Sequence, residues 1–257
     1  MLPSPTSPIL FSIGTFSLRY YSLCILAGVL IGQWFALKRA KKINIAEDHI
    51  LNMVFSSLIS GLIGARIFHV LYEYKYYFEH INEIPKVWEG GLAIHGGILF
   101  GSIAIYLYCK KQSLQFLDIA DLFVPSLLIG QIIGRFGNYF NQEAFGTPTT
   151  LPWGIYISPE HRPVNYLSYE SFHPTFLYEG LWNTLLLYTI LWYEKKYKKA
   201  TGSILGIYLI GYGIGRFFIE MIRTDATYLG PLKFVHWISL ICILSGGILF
   251  LRKNHKC

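Results

Sequence analysis

Apolar residues run along this chain in stretches of about 20, the length a helix needs to cross a bilayer. Seven stretches stand out, at about 18–37, 50–72, 91–109, 117–137, 174–193, 202–221 and 233–251. Polar residues interrupt several of them, so the first, second and fourth depend on packing inside a bundle. Lys and Arg gather after alternate stretches, as KRAKK (38–42), KK (110–111), EKKYKK (194–199) and RKNHK (252–256), which together hold more than half of the 22 basic residues. The positive-inside rule makes those ends cytoplasmic. The N-terminus is then outside and the C-terminus inside, which requires an odd number of spans. The pattern therefore predicts an all-α membrane protein of seven transmembrane helices, one transmembrane domain over 1–257. Its outer connections fall at about 73–90, 138–173 and 222–232, and the longest, 138–173, is expected to form a small outer cap.

Composition agrees. Of 257 residues, 53% are hydrophobic and 14% charged, against roughly 25% charged in soluble domains. The net charge of +7 resides largely in the clusters above. The four cysteines, Cys24, Cys109, Cys242 and Cys257, form no CxxC pair, so neither a zinc site nor a disulfide framework is expected. They read as small core hydrophobes. No basic residue precedes Arg19, so the N-terminus lacks the basic segment of a cleavable signal peptide.

Charge in the bilayer core costs about 2.5–3.5 kcal/mol per residue on insertion scales, so it is kept for packing or for function. Four places carry it, all in the outer half of the predicted arrangement. Arg66, His69 and Glu73 lie at helical spacing in GARIFHVLYE, a face that serves either an interhelix salt bridge or a ligand. His95 sits among glycines in EGGLAIHGGILFG, the one group in that helix that titrates near neutral pH. In GQIIGRFGNYFNQEAFG (130–146), Arg135, Asn138 and Asn141 form one polar stripe if the helix continues, with Gln142 and Glu143 after it. Arg216, Glu220 and Arg223 share a face of the sixth stretch, with Asp225 just beyond. Arginine matches phosphate oxygens bidentately, and amides bond ester or glycerol oxygens. Together these residues describe an arginine-lined cavity with lipid-accessible walls, suited to an anionic phospholipid. The residues alone leave a lipid-modifying enzyme and a lipid transporter or scramblase both open.

Four ordered motifs then resemble the prolipoprotein diacylglyceryl transferase family. They are GGLAIHGG (90–97), GRFGNYFNQEAFG (134–146), HPTFLYEG (173–180) and YGIGRFFIEMIRTD (212–225). Gln142 stands where the family often has Gly, and Ser22 follows the Tyr20-Tyr21 pair where a Gly is common. The resemblance implies a bacterial cytoplasmic (inner) membrane enzyme. It would move the diacylglyceryl unit of phosphatidylglycerol to the lipobox cysteine of a prolipoprotein, forming a thioether and releasing glycerol phosphate. No metal or soluble cofactor and no nucleic acid partner are implied. The partners are phosphatidylglycerol, prolipoprotein signal peptides and membrane lipid.

The chemistry fits the residues. A free thiol is only a few per cent thiolate at pH 7, and His95 is the candidate base, with the lipid's own phosphate or an arginine-lowered thiol pKa as the alternatives. Arg135 and Arg216 would stabilise the leaving phosphate. Glu220 would orient Arg216, while Asn138, Glu143, Tyr21, Arg223 and Arg66 would help hold the lipid. Against a seven-span receptor, the cytoplasmic loops are short. Against an intramembrane hydrolase, there is no GxSxG motif, no paired aspartates and no nucleophile beside His95.

Overall fold

Long apolar runs flanked by Lys, Arg, Gly and Pro become helices here because a helix satisfies every backbone polar group internally. The computed structural model describes residues 2–5, 7–14, 16–197, 200–224 and 228–254. Asp225, Cys257 and the ends of two basic clusters lie outside the described residues. Among those described, seven helices run 18 residues or longer: α1 (Tyr20–Lys42), α2 (Glu47–Tyr72), α4 (Ile94–Lys111), α5 (Phe116–Asn141), α6 (Thr175–Lys196), α7 (Ser203–Ile222) and α8 (Phe234–Asn254), with the six-residue α3 (Tyr74–Glu79) between α2 and α4. Each falls on one of the seven apolar stretches. Five of them, α1, α2, α5, α7 and α8, are long and apolar enough to cross a membrane by length and composition. The other two are less apolar. α4 opens on His95 and closes on Lys110-Lys111, and α6 carries Glu179, Asn183 and many aromatic residues. Large apolar side chains such as Phe55, Leu71, Leu244 and Ile248 face outward, as lipid-facing positions do. This is a mostly helical membrane protein.

The chain packs as two units, Ala36–Ile119 and Met1–Phe35 with Ala120–Cys257. In the first, α2 and α4 approach through small residues, which lets backbones touch where lipid gives no hydrophobic drive to association. A Cβ on Gly96 would lie 2.2 Å from the Gly64 carbonyl oxygen, and one on Gly64 2.4 Å from the Phe100 side chain. Further along the pair, the Tyr108 hydroxyl lies 2.9 Å from His49 Nδ1. The loop between the helices is gathered by Arg66. Its Nε donates to the Ile84 carbonyl (2.8 Å), Nη1 to Gly90 (2.8 Å) and Gly91 (3.1 Å), and Nη2 to Glu83 (2.6 Å). Its plane lies over Tyr77, 5.1 Å from the ring centre. In the same loop the Tyr76 hydroxyl donates to the Glu83 carboxylate (2.8 Å), and that bond holds the carboxyl below its usual range.

In the second unit, Val124, Leu128, Leu186, Ile190, Ile204 and Tyr208 of α5, α6 and α7 form a core. Close glycine contacts join α1 to α5 and α7 to α8: a Cβ on Gly32 would sit 3.1 Å from the Ser126 carbonyl oxygen, and one on Gly246 2.7 Å from that of Gly206. The buried Asp121 of α5 caps α7. Its Oδ2 accepts from Gly202 N (2.6 Å) and its Oδ1 from Leu205 N (2.8 Å), satisfying orphan donors at the positive end of the helix dipole.

Between α5 and α6, residues 142–174 build their own apolar cluster from Phe145, Ile155, Ile157, Phe172 and Phe176. A short antiparallel pair, β3 (Ile155–Tyr156) and β4 (Ser171–Phe172), runs through it. The N-terminal residues join that sheet: Leu2 N donates to Gly154 O (2.7 Å) and Tyr156 N to Leu2 O (3.0 Å). A hairpin of β1 (Ile9–Ile13) and β2 (Phe16–Arg19) then leads into α1. The sequence pattern gives no strands there, and the hairpin is an addition to it. A second hairpin, β5 (Tyr228–Leu229) with β6 (Leu232–Lys233), fills the short connection between α7 and α8.

Two neighbouring glycines of α4 separate packing from propensity. Gly96→Ala drives a methyl into the Gly64 backbone and is expected to destabilise by about 1–3 kcal/mol. At Gly97 the nearest atom to a new Cβ is at 3.5 Å, so Gly97→Ala is expected to be neutral or stabilising by up to about 1 kcal/mol. Thermal unfolding of both variants in detergent checks the contrast.

Candidate active site

The polar stripe of α5 forms because the helix continues through Asn141 rather than ending at the membrane boundary. Arg135 Nη1 donates to Asn138 Oδ1, one turn on (3.0 Å). Asn138 Nδ2 donates to Glu143 Oε1 (2.9 Å), and Asn141 Nδ2 reaches the same oxygen (3.3 Å). On α7, Arg216 Nη2 pairs with Glu220 Oε2 at 2.8 Å, and Arg223 Nε lies 3.9 Å from that oxygen. The predicted shared faces of α5 and α7 are both present.

One carboxylate joins the two helices. Glu179 of α6 is 2% exposed; its Oε1 pairs with Arg135 Nη2 and its Oε2 with Arg216 Nη1, the latter at 3.1 Å. A charge this buried is retained only when paired and hydrogen-bonded, and here two guanidiniums share it. Glu179 is absent from the sequence-derived residues, although it lies inside the HPTFLYEG box. The signal was available: two intramembrane arginines face one carboxylate in the α7 motif, and the next acidic side chain at the same end of the apolar stretches is Glu179. Tyr212, one turn before Arg216, was also passed over; its hydroxyl lies in the field of Glu179, Arg216 and Arg135.

A fourth cation completes the group. Lys233 of β6, 8% exposed, donates through Nζ to the carbonyls of Glu220 (2.6 Å) and Arg223 (3.0 Å). It thereby caps the negative end of α7. Arg135, Arg216, Arg223 and Lys233 stand against Glu179, Glu220 and Glu143, leaving one positive charge. Arg135 also keeps a buried Nε–H with no hydrogen-bond partner among the described residues. Buried donors are seldom left so. A Cβ on the preceding Gly134 would meet nothing within 4 Å.

The other glycines of the signature are close-packed. A Cβ on Gly137 would meet the Tyr21 ring at 2.6 Å, and one on Gly146 the Ile222 carbonyl oxygen at 2.7 Å. Tyr21 therefore lies flat along α5, within the field of Glu143 and Arg135. Tyr20 instead stacks on Phe140 at 4.4 Å. Gln142 adopts φ +51°, where glycine is cheapest. It works there by bridging: Nε2 donates to Pro5 O (3.0 Å), while Oε1 accepts from Ser158 N and Oγ, both at 2.8 Å.

Tyr21, Arg135, Asn138, Glu143, Arg216, Glu220 and Arg223 all fall in the second unit, in the neighbourhood of Glu179. His95 and Arg66 belong to the first. His95 is exposed in the first turn of α4. Arg66 is committed to the 83–91 loop, so its donors serve backbone carbonyls where the sequence reading had them serve lipid.

Family comparison fits this geometry. The family model for prolipoprotein diacylglyceryl transferase matches residues 8–252. The chain belongs to this family. Curated relatives carry the name phosphatidylglycerol–prolipoprotein diacylglyceryl transferase. The one from Thermotoga petrophila is 43% identical over 251 residues, covering 96% of this chain and 85% of the relative. Those from Prochlorococcus marinus (strain MIT 9215) and Synechocystis sp. are each 40% identical, covering 95% and 97% of this chain and 94% and 90% of theirs. The matched span includes Arg135, Glu179 and Arg216.

Glu179→Ala leaves two buried guanidiniums without their shared partner. It is expected to cost about 3–5 kcal/mol of stability, whereas Glu143→Ala, at an exposed position, is expected to cost less than about 1 kcal/mol. Denaturation of the two variants in the same detergent compares them.

Proposed function

We propose that this protein transfers the diacylglyceryl group of phosphatidylglycerol to the lipobox cysteine thiol of prolipoproteins, the first step of bacterial lipoprotein maturation. The observation that carries the reading is the pair Arg135 and Arg216 clamped on buried Glu179, within a chain of this transferase family. It acts as a single seven-span domain of the bacterial inner membrane, N-terminus outside, with the segment expected at about 138–173 as the outer cap, its first residues through Asn141 being the end of α5. The seven long helices and the alternating basic clusters support that arrangement.

In the reaction the cysteine sulfur attacks the glycerol carbon that bears the phosphate. The C–S bond forms as the C–O bond breaks, glycerol phosphate leaves with the electron pair, and the thiol proton passes to a base. The leaving phosphate is already anionic, so it needs positive charge more than a proton. Glu179 holds Arg135 and Arg216 in place, so little reorganisation is needed when charge develops. Glu220 and Lys233 fix the end of α7 that carries Arg216 and Arg223. Asn138, Glu143 and Tyr21 hold the glycerol headgroup beside Arg135. Arg66 contributes by ordering the 83–91 loop next to the His95 segment in sequence. His95 is assigned as proton acceptor on its chemistry and its exposed position alone.

Purified protein incubated with phosphatidylglycerol and a lipobox peptide is expected to yield a peptide whose cysteine gains a diacylglyceryl mass. Arg135→Ala is expected to lower the rate at least about 100-fold, and Arg135→Lys to recover part of it, since one ammonium cannot serve Asn138, Glu179 and phosphate in the fork geometry. Movement of phosphatidylglycerol across liposomes without thioether product would assign the protein to lipid transport instead. For His95, His95→Gln is expected to lower the rate of thioether formation at least about 100-fold. A variant that retains both wild-type rate and profile would remove His95 from the base role.

A further inference from the structure

Beyond Glu143 the surface opens into a cleft of about 250 Å³, walled by Glu143, Ala144 and Phe145 of the loop after α5, by His161 and Pro163 of the 142–174 segment, and by Thr224 after α7. Its frame is built: Gln142 ties the loop to Ser158, Ser158 Oγ meets His161 Nδ1 at 2.9 Å, and the Thr224 hydroxyl donates to Phe145 O (3.3 Å). Among the described residues no Arg or Lys lines it, and Glu143 does, so it is a poor place for a phosphate. At roughly 30 Å³ per water it holds about eight waters. It is thus smaller than the roughly 300–1,000 Å³ of pockets for drug-sized ligands, and it suits a short stretch of small residues.

Glu143 faces two ways. Its Oε1 is held by Asn138 and Asn141, and Asn138 in turn accepts from Arg135. No hydrogen bond among the described residues reaches its Oε2, which is left for a main-chain N–H. The phosphate-binding arginines and the cleft are therefore separated by one amide and one carboxylate. We propose that this cleft seats the first residues of the acceptor polypeptide beyond its reactive cysteine. The lipid headgroup lies on the Oε1 side of Glu143, toward Asn138 and Arg135, and the peptide on its Oε2 side, which brings thiol and glycerol carbon to the same boundary. The assignment rests on the transferase reading and adds the substrate that this second surface takes.

The test uses two acceptor peptides with the same apolar segment, one ending at the cysteine amide and one continuing three small residues further. With the wild-type enzyme the longer peptide is expected to show a KM at least 5-fold lower. His161→Trp and Pro163→Trp fill the cleft from two positions, so one folded variant suffices. Each is expected to abolish that advantage while leaving the short peptide's rate and the KM for phosphatidylglycerol as in wild type. The proposal is overturned if the wild type treats the peptides alike, if the advantage survives in a folded variant, or if both peptides lose equally. A rise in the KM for phosphatidylglycerol instead would make this a headgroup cleft. Failure of the wild type to modify either peptide would strike the transferase reading itself, an outcome distinct from these.

Discussion

The buried carboxylate of Glu179, shared by Arg135 and Arg216, is the constraint around which the second unit is arranged. An unpaired charge at that depth would cost several kcal/mol. α5, α6 and α7 must therefore present their polar positions to one another, and their remaining faces are free to be apolar. The pairing also fixes what the site can bind. Two guanidiniums held by one carboxylate, with Glu220 and Lys233 behind them, leave net positive charge. Under the proposed function that charge meets the phosphate of the lipid headgroup.

Small residues make this arrangement reachable. Gly137 lets Tyr21 lie on α5, and Gly146 lets the loop after α5 pass under the end of α7. Both are signature positions, and both are explained by a neighbour that a methyl group would strike. Gly134 is different, since a Cβ there meets nothing within 4 Å, and packing does not account for it. Gln142 keeps a strained backbone because its side chain links three segments. The departure from the family's usual glycine is therefore a working part of the 142–174 segment.

Much of the helix layout was legible in the sequence, because apolar runs ending in Lys and Arg leave few alternatives. The shared faces of Arg135 with Asn138 and of Arg216 with Glu220 followed from helical spacing alone. Other features left no such trace. The N-terminal hairpin follows from pairing with distant residues, which periodicity does not record. Arg66 looked like a ligand for lipid because an intramembrane arginine is costly; its partners are backbone carbonyls, which every residue has and no motif marks. Glu179 was hidden by its aromatic surroundings in α6, where a single carboxylate reads as an interruption, and only the arginines of two other helices give it meaning.

The central claim is that Arg135, Glu179 and Arg216 act as one unit. A kinetic double-mutant cycle tests it, with kcat/KM for phosphatidylglycerol measured in Arg135→Ala, Glu179→Gln and the double variant. Residues acting as a unit give strongly non-additive losses. The double variant is expected to be no more than about 3-fold worse than the poorer single variant. Losses that multiply would mean that the arginine and the carboxylate act independently, and would contradict the account.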